Sequence, residues 1–313
     1  MGKYVLLSGC LLAAALPAQE KQQSAPARKP ELVSPLGKPL QAQADTAGAV
    51  AKADAARAGD PGNIDLLLAA ARARDLLWQF NDSIALYSEG IRAAPDDFRL
   101  YRHRGHRYIS TRRFKEAVRD LKKAARLAPA SFDVSYHLGL AYYLRGEFAR
   151  AAAEYGRCLG MADANPAAGA GGLPEGYRSC ASIATHDDSR IAITEWRYRA
   201  LRRAGRHEEA RRLLETIHDK MSVKENEAYY KTLLLYKGLR SEPQVLEPAA
   251  EPGLQFSTTG YGVANLHLLE GKRDQACALF RRIVESPAWS AFGYIASEVE
   301  LASKKKGGCG KGS

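Results

Sequence analysis

Residues 98–129, FRLYRHRGHRYISTRRFKEAVRDLKKAARLAP, decide the fold of this chain. The stretch is one copy of a repeated pattern. Five of its positions recur 34 residues later, as the pairs Gly105 and Gly139, Tyr108 and Tyr142, Phe114 and Phe148, Ala117 and Ala151, and Leu121 and Tyr155. The same phase holds 34 residues earlier at Phe80, Ser83, Tyr87 and Pro95. A fixed period of this length predicts an array of stacked structural units.

Each unit has the apolar spacing of two short amphipathic helices joined by a tight turn. Gly105 and Ala117 lie where the two helices of a hairpin would touch, because a large side chain there would hold them apart. Pro129 lacks an amide donor and therefore ends the second helix. A single hairpin cannot bury its own apolar face, so neighbouring hairpins must stack into a solenoid.

The period, the small and aromatic residues of the first helix and the closing proline resemble the tetratricopeptide repeat over residues 44–302. The resemblance implies an all-α fold, a right-handed superhelical solenoid of antiparallel helix hairpins. It also implies that the first helix of each hairpin lines a concave face where peptides or partner helices bind. We expect one Gly-rich insertion and a final capping helix that uses Trp289, Phe292 and Ile295 to cover the open end.

Composition and phase divide the chain into successive segments. We predict a signal peptide (1–18), a flexible linker (19–43), a half-repeat (44–61), repeats (64–97, 98–131 and 132–163), an insertion (164–188), a repeat (189–222), a degenerate helix pair (224–253), a repeat (257–287), a capping helix (288–302) and a disordered basic tail (303–313).

The amino terminus has the pattern of a short secretory signal. One lysine precedes an apolar run, and Leu-Pro-Ala follows it, so we expect cleavage after Ala18 and export to the periplasm of a bacterium or secretion. Two alternatives are a lipid anchor at Cys10, which lies in a lipoprotein-like box, and an uncleaved anchor. An exported compartment permits disulfides. Cys158 and Cys180 flank the Gly-rich insertion and can form a bridge, although Cys158 and Cys277 also suit the role of small apolar core residues.

The predicted concave face is basic and aromatic. Arginine suits carboxylates, and tyrosine and tryptophan offer apolar area with a polar edge, so an acidic peptide or partner helix is the expected ligand. The candidate groove residues are Arg99, Arg102, His103, His106, Tyr136, His137, Tyr143, Trp196, Arg199, Arg203, Tyr261 and Asn265. The strongest contacts are expected from Arg102, Tyr136, Trp196 and Arg199. The competing interpretation is that the arginines serve solubility and the tyrosines belong to the core.

Other function classes find little support in the sequence. Known nucleophile, zinc and phosphate-loop motifs are absent, so we expect a non-catalytic scaffold without a cofactor. His103 and His106 share a helix face but lack an acidic or cysteine partner for a metal. The chain has a net charge of +11, and two alternatives to peptide binding stay open. One is an assembly subunit of an envelope complex that uses its convex face or self-associates, and the other is binding of an anionic polysaccharide or membrane surface. Nucleic acid is not expected.

Overall fold

The computed structural model describes residues 29–164, 172–246 and 253–303 together with Cys309. Its regular structure is helical apart from a 3₁₀ turn (Ala181–Thr185) and two short strands, β1 (Leu32–Val33) and β2 (Pro39–Leu40). The helices are α1 (Ala49–Gly59), α2 (Ile64–Leu76), α3 (Phe80–Ala93), α4 (Phe98–Ser110), α5 (Phe114–Leu127), α6 (Phe132–Leu144), α7 (Phe148–Ala164), α8 (Asp187–Arg203), α9 (His207–Glu215), α10 (Glu227–Tyr236), α11 (Glu242–Leu246), α12 (Leu254–Leu269), α13 (Arg273–Val284) and α14 (Phe292–Ala302). The all-α prediction is confirmed. None of the described helices has the length and apolar character needed to cross a bilayer.

The 34-residue period appears directly in the helix boundaries. The first helices α2, α4 and α6 begin at Ile64, Phe98 and Phe132, and their second helices begin at Phe80, Phe114 and Phe148. Each second helix packs on its own first helix and on the first helix of the following unit. These three hairpins therefore form a stacked helical array, as the repeat predicted.

Two local features explain why these residues form hairpins. Gly105 faces the second helix so closely that a Cβ atom there would lie 2.6 Å from Leu121 Cγ. The first helices also begin at capping residues in the same phase, because the side chains of Asn63, Asp97 and Ser131 accept hydrogen bonds from backbone N–H groups of the first turn. Small residues set the helix separation, and caps set where each helix starts.

The insertion is tied to the third hairpin. Cys180 forms a disulfide with Cys158 of α7, and Ser179 forms an isolated β-bridge with Ser131. The interpretation of Cys158 as an unpaired core residue is therefore wrong. Helix α8 begins at Asp187, two residues before the predicted repeat boundary, because His186 accepts a hydrogen bond from the Ser189 backbone at 3.2 Å. Residues 165–171, which hold most of the Gly-rich run, lie outside the described part.

The predicted linker is ordered where the structure describes it. Strands β1 and β2 form an antiparallel pair, and Leu40 is buried with 3% of its surface exposed. Asn81 donates hydrogen bonds to Glu31, which attaches this strand pair to α3. The prediction of a flexible linker is thus wrong for residues 29–43. The predicted signal peptide and residues 19–28 lie outside the described residues.

The carboxyl-terminal segment also differs from expectation. Cys309, placed by the sequence in a disordered tail, forms a disulfide with Cys277 of α13, so the unpaired interpretation of Cys277 is wrong as well. The capping helix begins at Phe292 and not at residue 288, since Ser286 to Ala291 form turns that lead into it. Residues 304–308 and 310–313 of the tail lie outside the described part.

The two ends of the array meet. Trp289 stacks edge-on against Trp78 at 5.4 Å between ring centroids, and its Nε1 donates to the Gln41 carbonyl at 3.0 Å. Lys38 Nζ donates to the Val284 carbonyl at 3.0 Å. The segment before α14 therefore packs against the first hairpin and the β-strand pair. The expected role of Trp289, covering an open end, is corrected: it closes the array onto its own beginning.

Candidate functional site

The predicted groove arginines are paired with acids of the same chain. The acceptors are Asp65 and Asp97 for Arg99, Asp133 for Arg102, Glu195 for Arg199 and Glu300 for Arg203, with distances of 2.6 Å to Asp65, 2.9 Å to Asp133 and 2.7 Å to Glu300. Arg199 and Glu195 are both fully buried. The positive charges of the four predicted groove arginines are therefore already compensated within the chain, and the expectation of an open basic groove is corrected.

The predicted aromatic residues form the core of the closed array. Trp196 and Tyr261 are fully buried, and Tyr136 and Tyr143 are nearly so. Their polar atoms bond to one another: Trp196 Nε1 donates to Tyr136 OH at 3.1 Å, and Tyr261 OH donates to Tyr143 OH at 3.0 Å. Asn265, also fully buried, accepts from Tyr143 OH at 3.2 Å. These side chains join α6, α8 and α12. Tyr136 lines a first cavity, Tyr143 and Tyr261 line a second one of about 360 Å³, and Trp196 and Asn265 line neither.

The three histidines lie in the same interior. His137 Nδ1 lies 2.6 Å from the Asp133 carbonyl, and His103 Nε2 lies 2.9 Å from Tyr177 OH. The ring of His106 lies between His137 and Phe292, at centroid distances of 4.2 and 5.3 Å. Burial lowers the pKa of all three imidazoles well below 6.5, because a buried cation loses its hydration. They are neutral at physiological pH.

A cavity of about 390 Å³ remains open on the inner side. Its residues come from distant parts of the chain, since the first two hairpins, α6, α10, α12 and the start of α14 all contribute. The aromatic part of the wall consists of Trp78, Phe80, Tyr136, Tyr229 and Phe292. Of the predicted groove residues, Tyr136 and His106 line this cavity. The other ten lie elsewhere.

The charged part of the cavity wall consists of Arg107, Asp75 and the exposed Glu225. Arg107 Nε lies 3.7 Å from Asp75 Oδ1, and neither atom has a hydrogen-bond partner among the described residues. Asp75 Oδ2 accepts from Tyr87 OH at 2.8 Å, and the guanidinium lies 4.7 Å from the centre of the Phe80 ring. Burial raises the pKa of the Asp75 carboxyl and lowers the pKa of Arg107. The charges of Arg107 and Asp75 offset each other, and Glu225 adds a negative charge to the lining, so the cavity has no net positive charge.

The sequence analysis did not predict that Arg107, Asp75 and the residues from α10 and α14 belong to the cavity. Arg107 carries a usable signal: it follows His103 by four residues and thus shares its helix face. Asp75 has no such signal. Phe292 and Tyr229 enter the cavity only because the array closes, which the local sequence pattern does not show.

Comparisons with known proteins give no function. No family model and no curated protein matches the chain. Among solved structures, it is similar to a tetratricopeptide repeat protein from Parabacteroides merdae (TM-score 0.47, 13% identity, 77% of this chain and 86% of that one). It is also similar to YrrB, described as a TPR protein with an unusual peptide-binding site (TM-score 0.42, 13% identity, 76% and 93%), and to MamA AMB-1 (TM-score 0.39, 19% identity, 54% and 92%).

These superpositions are too loose to carry an argument, and the assignment depends on features of the chain itself. Successive helix starts at Ile64, Phe98 and Phe132 repeat every 34 residues, and the hairpins stack in order. The chain's own repeats, folded as stacked helix hairpins, therefore give it the fold of the tetratricopeptide-repeat family.

Proposed function

We propose that the protein is a non-catalytic scaffold that binds a segment of a partner protein, with one apolar side chain of that segment anchored in the inner cavity. The observation that carries this proposal is the cavity itself, an opening of about 390 Å³ that remains after the chain has closed on itself. Its volume lies near the lower end of the ~300–1,000 Å³ usual for ligand sites, so it suits one or two side chains and not a whole extended peptide.

The walls favour an aromatic or aliphatic anchor. Five aromatic rings line the cavity, together with Leu254, Ala228 and Ala291. Arg107 and Asp75 offset each other, and the arginines of the inner face are paired with acids of the chain. An acidic anchor would therefore gain little attraction and would lose its hydration. The acidic partner expected from the sequence is better matched by the outer face of α5.

Catalysis is left out of the proposal for a chemical reason. The cavity holds one buried acid, Asp75, which accepts from Tyr87 OH and faces Arg107. His106 is neutral and is enclosed between aromatic rings. Ser110, a hydroxyl residue of the cavity wall, donates to the His106 backbone carbonyl at 3.3 Å and not to its ring.

Export is part of the same proposal. The disulfides Cys158–Cys180 and Cys277–Cys309 support it, because such bonds persist in oxidising compartments outside the cytosol. The signal-like amino terminus is the second support.

The test is a selection from a displayed random-peptide library against the mature protein and two variants. Thr258 lies at the cavity rim and is partly exposed, so Thr258→Trp blocks the entrance. The exposed Thr216, at the end of α9, provides the matched control Thr216→Trp. We expect the native protein and Thr216→Trp to enrich the same apolar-anchored peptides, and Thr258→Trp to lose them. Equal enrichment by Thr258→Trp would contradict the proposal.

A further inference from the structure

The outer face of α5 carries a stripe of positive charge, most of it uncompensated. Its members are Lys115, Arg119, Lys122 and Arg126, all of them exposed. At 3.6 residues per turn and 1.5 Å per residue, these four positions fall within an arc of about 60° and span about 17 Å of the helix. We name this set the α5 stripe.

The acids of α5 do not neutralise the stripe. Asp120 is buried, with 2% of its side chain exposed, and accepts from Arg104 of α4 at 2.5 Å. Glu116 is engaged by Arg113 at 2.9 Å. The contact from Arg119 Nε to Asp120 is long, at 3.5 Å, and shares an acid that Arg104 already holds. Lys115, Lys122 and Arg126 form no ion pair among the described residues.

The exposed arginines on and beside α7 and α9 are arranged differently. On α7, Arg150 pairs with Glu147 at 2.6 Å, and beside α9, Arg206 pairs with Glu209 at 2.5 Å. Arg211 of α9 contacts both Glu208 and Glu215. These surface cations have acids three or four residues away on the same helix, the usual spacing for helix ion pairs. In the α5 stripe, only Arg119 has an acid at this spacing, Glu116, which Arg113 already engages at 2.9 Å. Lys115, Lys122 and Arg126 have none, so the like charges of the stripe repel one another until an external anion compensates them.

We propose that the α5 stripe is a docking surface for an acidic helix of a partner protein. The cations lie at positions i, i+4, i+7 and i+11, so acids at the same spacing on one face of a partner helix can meet all four. A membrane is a poorer match, because the exposed large hydrophobic residues of the described chain (Val33, Leu36, Leu76, Leu239 and Leu254) include none on α5. This surface is separate from the inner cavity, and the two proposals can fail independently.

The experiment compares two four-fold variants of the full mature protein that have the same net charge. The stripe variant is Lys115→Gln, Arg119→Gln, Lys122→Gln and Arg126→Gln. The control variant is Arg150→Gln, Arg206→Gln, Arg211→Gln and Arg212→Gln, which removes exposed charges on and beside α7 and α9. Glutamine retains good helix propensity, so both variants should fold, which circular dichroism verifies.

The first probe is a helical peptide with four glutamates at i, i+4, i+7 and i+11, called the patterned peptide. Its control is a helical peptide of the same composition whose glutamates are spread around the helix. Two further probes are polyglucuronate and vesicles of phosphatidylglycerol and phosphatidylcholine. We expect the patterned peptide to bind the native protein and the control variant about equally, and the stripe variant at least about ten-fold more weakly. Binding should weaken when salt is raised, because the charges are exposed.

Three results would overturn the proposal. Equal weakening in both variants would mean that only net charge matters. Equal binding of the peptide whose glutamates are spread around the helix would show that their alignment on one face does not matter. The third result is a higher affinity for polyglucuronate or for the vesicles than for the patterned peptide, lost in the stripe variant. It would assign the surface to a polysaccharide or a membrane.

Discussion

Arg112, in the turn of the second hairpin, and Glu298, in the last helix, form a buried ion pair between residues 186 positions apart in sequence. Arg112 Nε donates to Glu298 Oε2 at 2.7 Å, and the side chains are 6% and 1% exposed. Arg112 Nη2 also donates to the Trp289 carbonyl at 2.9 Å. This contact fastens α14 to the early repeats and converts an open array into a closed one.

Breaking one half of this pair should destabilise the protein strongly. Arg112→Met leaves Glu298 buried without its cation, and we expect a loss of about 3–5 kcal/mol in the free energy of unfolding. Denaturant unfolding measures this loss. Arg206→Met, which breaks an exposed pair with Glu209, is the control and should cost about 0.2–1 kcal/mol. Equal losses for the two variants would show that the pair with Glu298 does not close the array.

The close approach of α4 and α5 predicts the effect of adding one methyl group. In Gly105→Ala the new Cβ would lie 2.6 Å from Leu121 Cγ, so we expect a loss of about 1–3 kcal/mol from overpacking. Gly160 in α7 faces open space, because a Cβ there would meet no atom within 4 Å, and Gly160→Ala should instead stabilise by about 0.5–1 kcal/mol. Thermal unfolding compares the two, and a stabilising Gly105→Ala would refute the close packing of the hairpin.

Stability should fall in acid because of the buried histidines. Burial lowers the folded-state pKa of His103, His106 and His137 well below 6.5, so the unfolded chain binds more protons than the folded one below that pH. Their contribution is complete above pH 6.5 and is lost as the pH falls, by at most about 1.4 kcal/mol per pH unit for each histidine. His106→Phe should reduce this slope by about one third. Denaturant unfolding at pH 8, 6 and 5 measures how the free energy of unfolding depends on pH. If His106→Phe leaves this dependence unchanged, the burial of His106 is contradicted.

The disulfide beside the insertion should stabilise the fold. Cys158 and Cys180 close a loop of 22 residues in sequence separation, and such a crosslink contributes about 2–4 kcal/mol by restricting the unfolded chain. To isolate it, the measurement uses Cys277→Ala/Cys309→Ala, which lacks the other bridge. We expect reductant to lower the melting temperature of this variant. A melting temperature that reductant does not change would argue against the bridge.

Much of the fold was accessible from the sequence because its determinants repeat locally. Gly105 at the hairpin contact and the caps Asn63, Asp97 and Ser131 all lie in the 34-residue phase. Closure was not accessible, since the contact between Trp78 and Trp289 joins residues from opposite ends of the array and follows no period.

The candidate site was predicted less well for a related reason. The sequence shows arginines on the first helices, but whether their charge is free depends on acids in neighbouring units. Part of that pairing was visible, because Asp65 lies one period before Arg99. The acid that pairs with Arg203, Glu300, comes from α14 and could be placed only once the array was closed.

The most direct test of the proposed function locates the anchor of a bound peptide. A peptide selected from the displayed library carries a benzophenone side chain in place of its apolar anchor, and the complex is irradiated and mapped by mass spectrometry. Anchoring in the cavity predicts crosslinks to residues such as Tyr136, Tyr229 and Phe292 and their loss in Thr258→Trp. Crosslinks that map to α5 or to another outer surface, and that persist in Thr258→Trp, would contradict it.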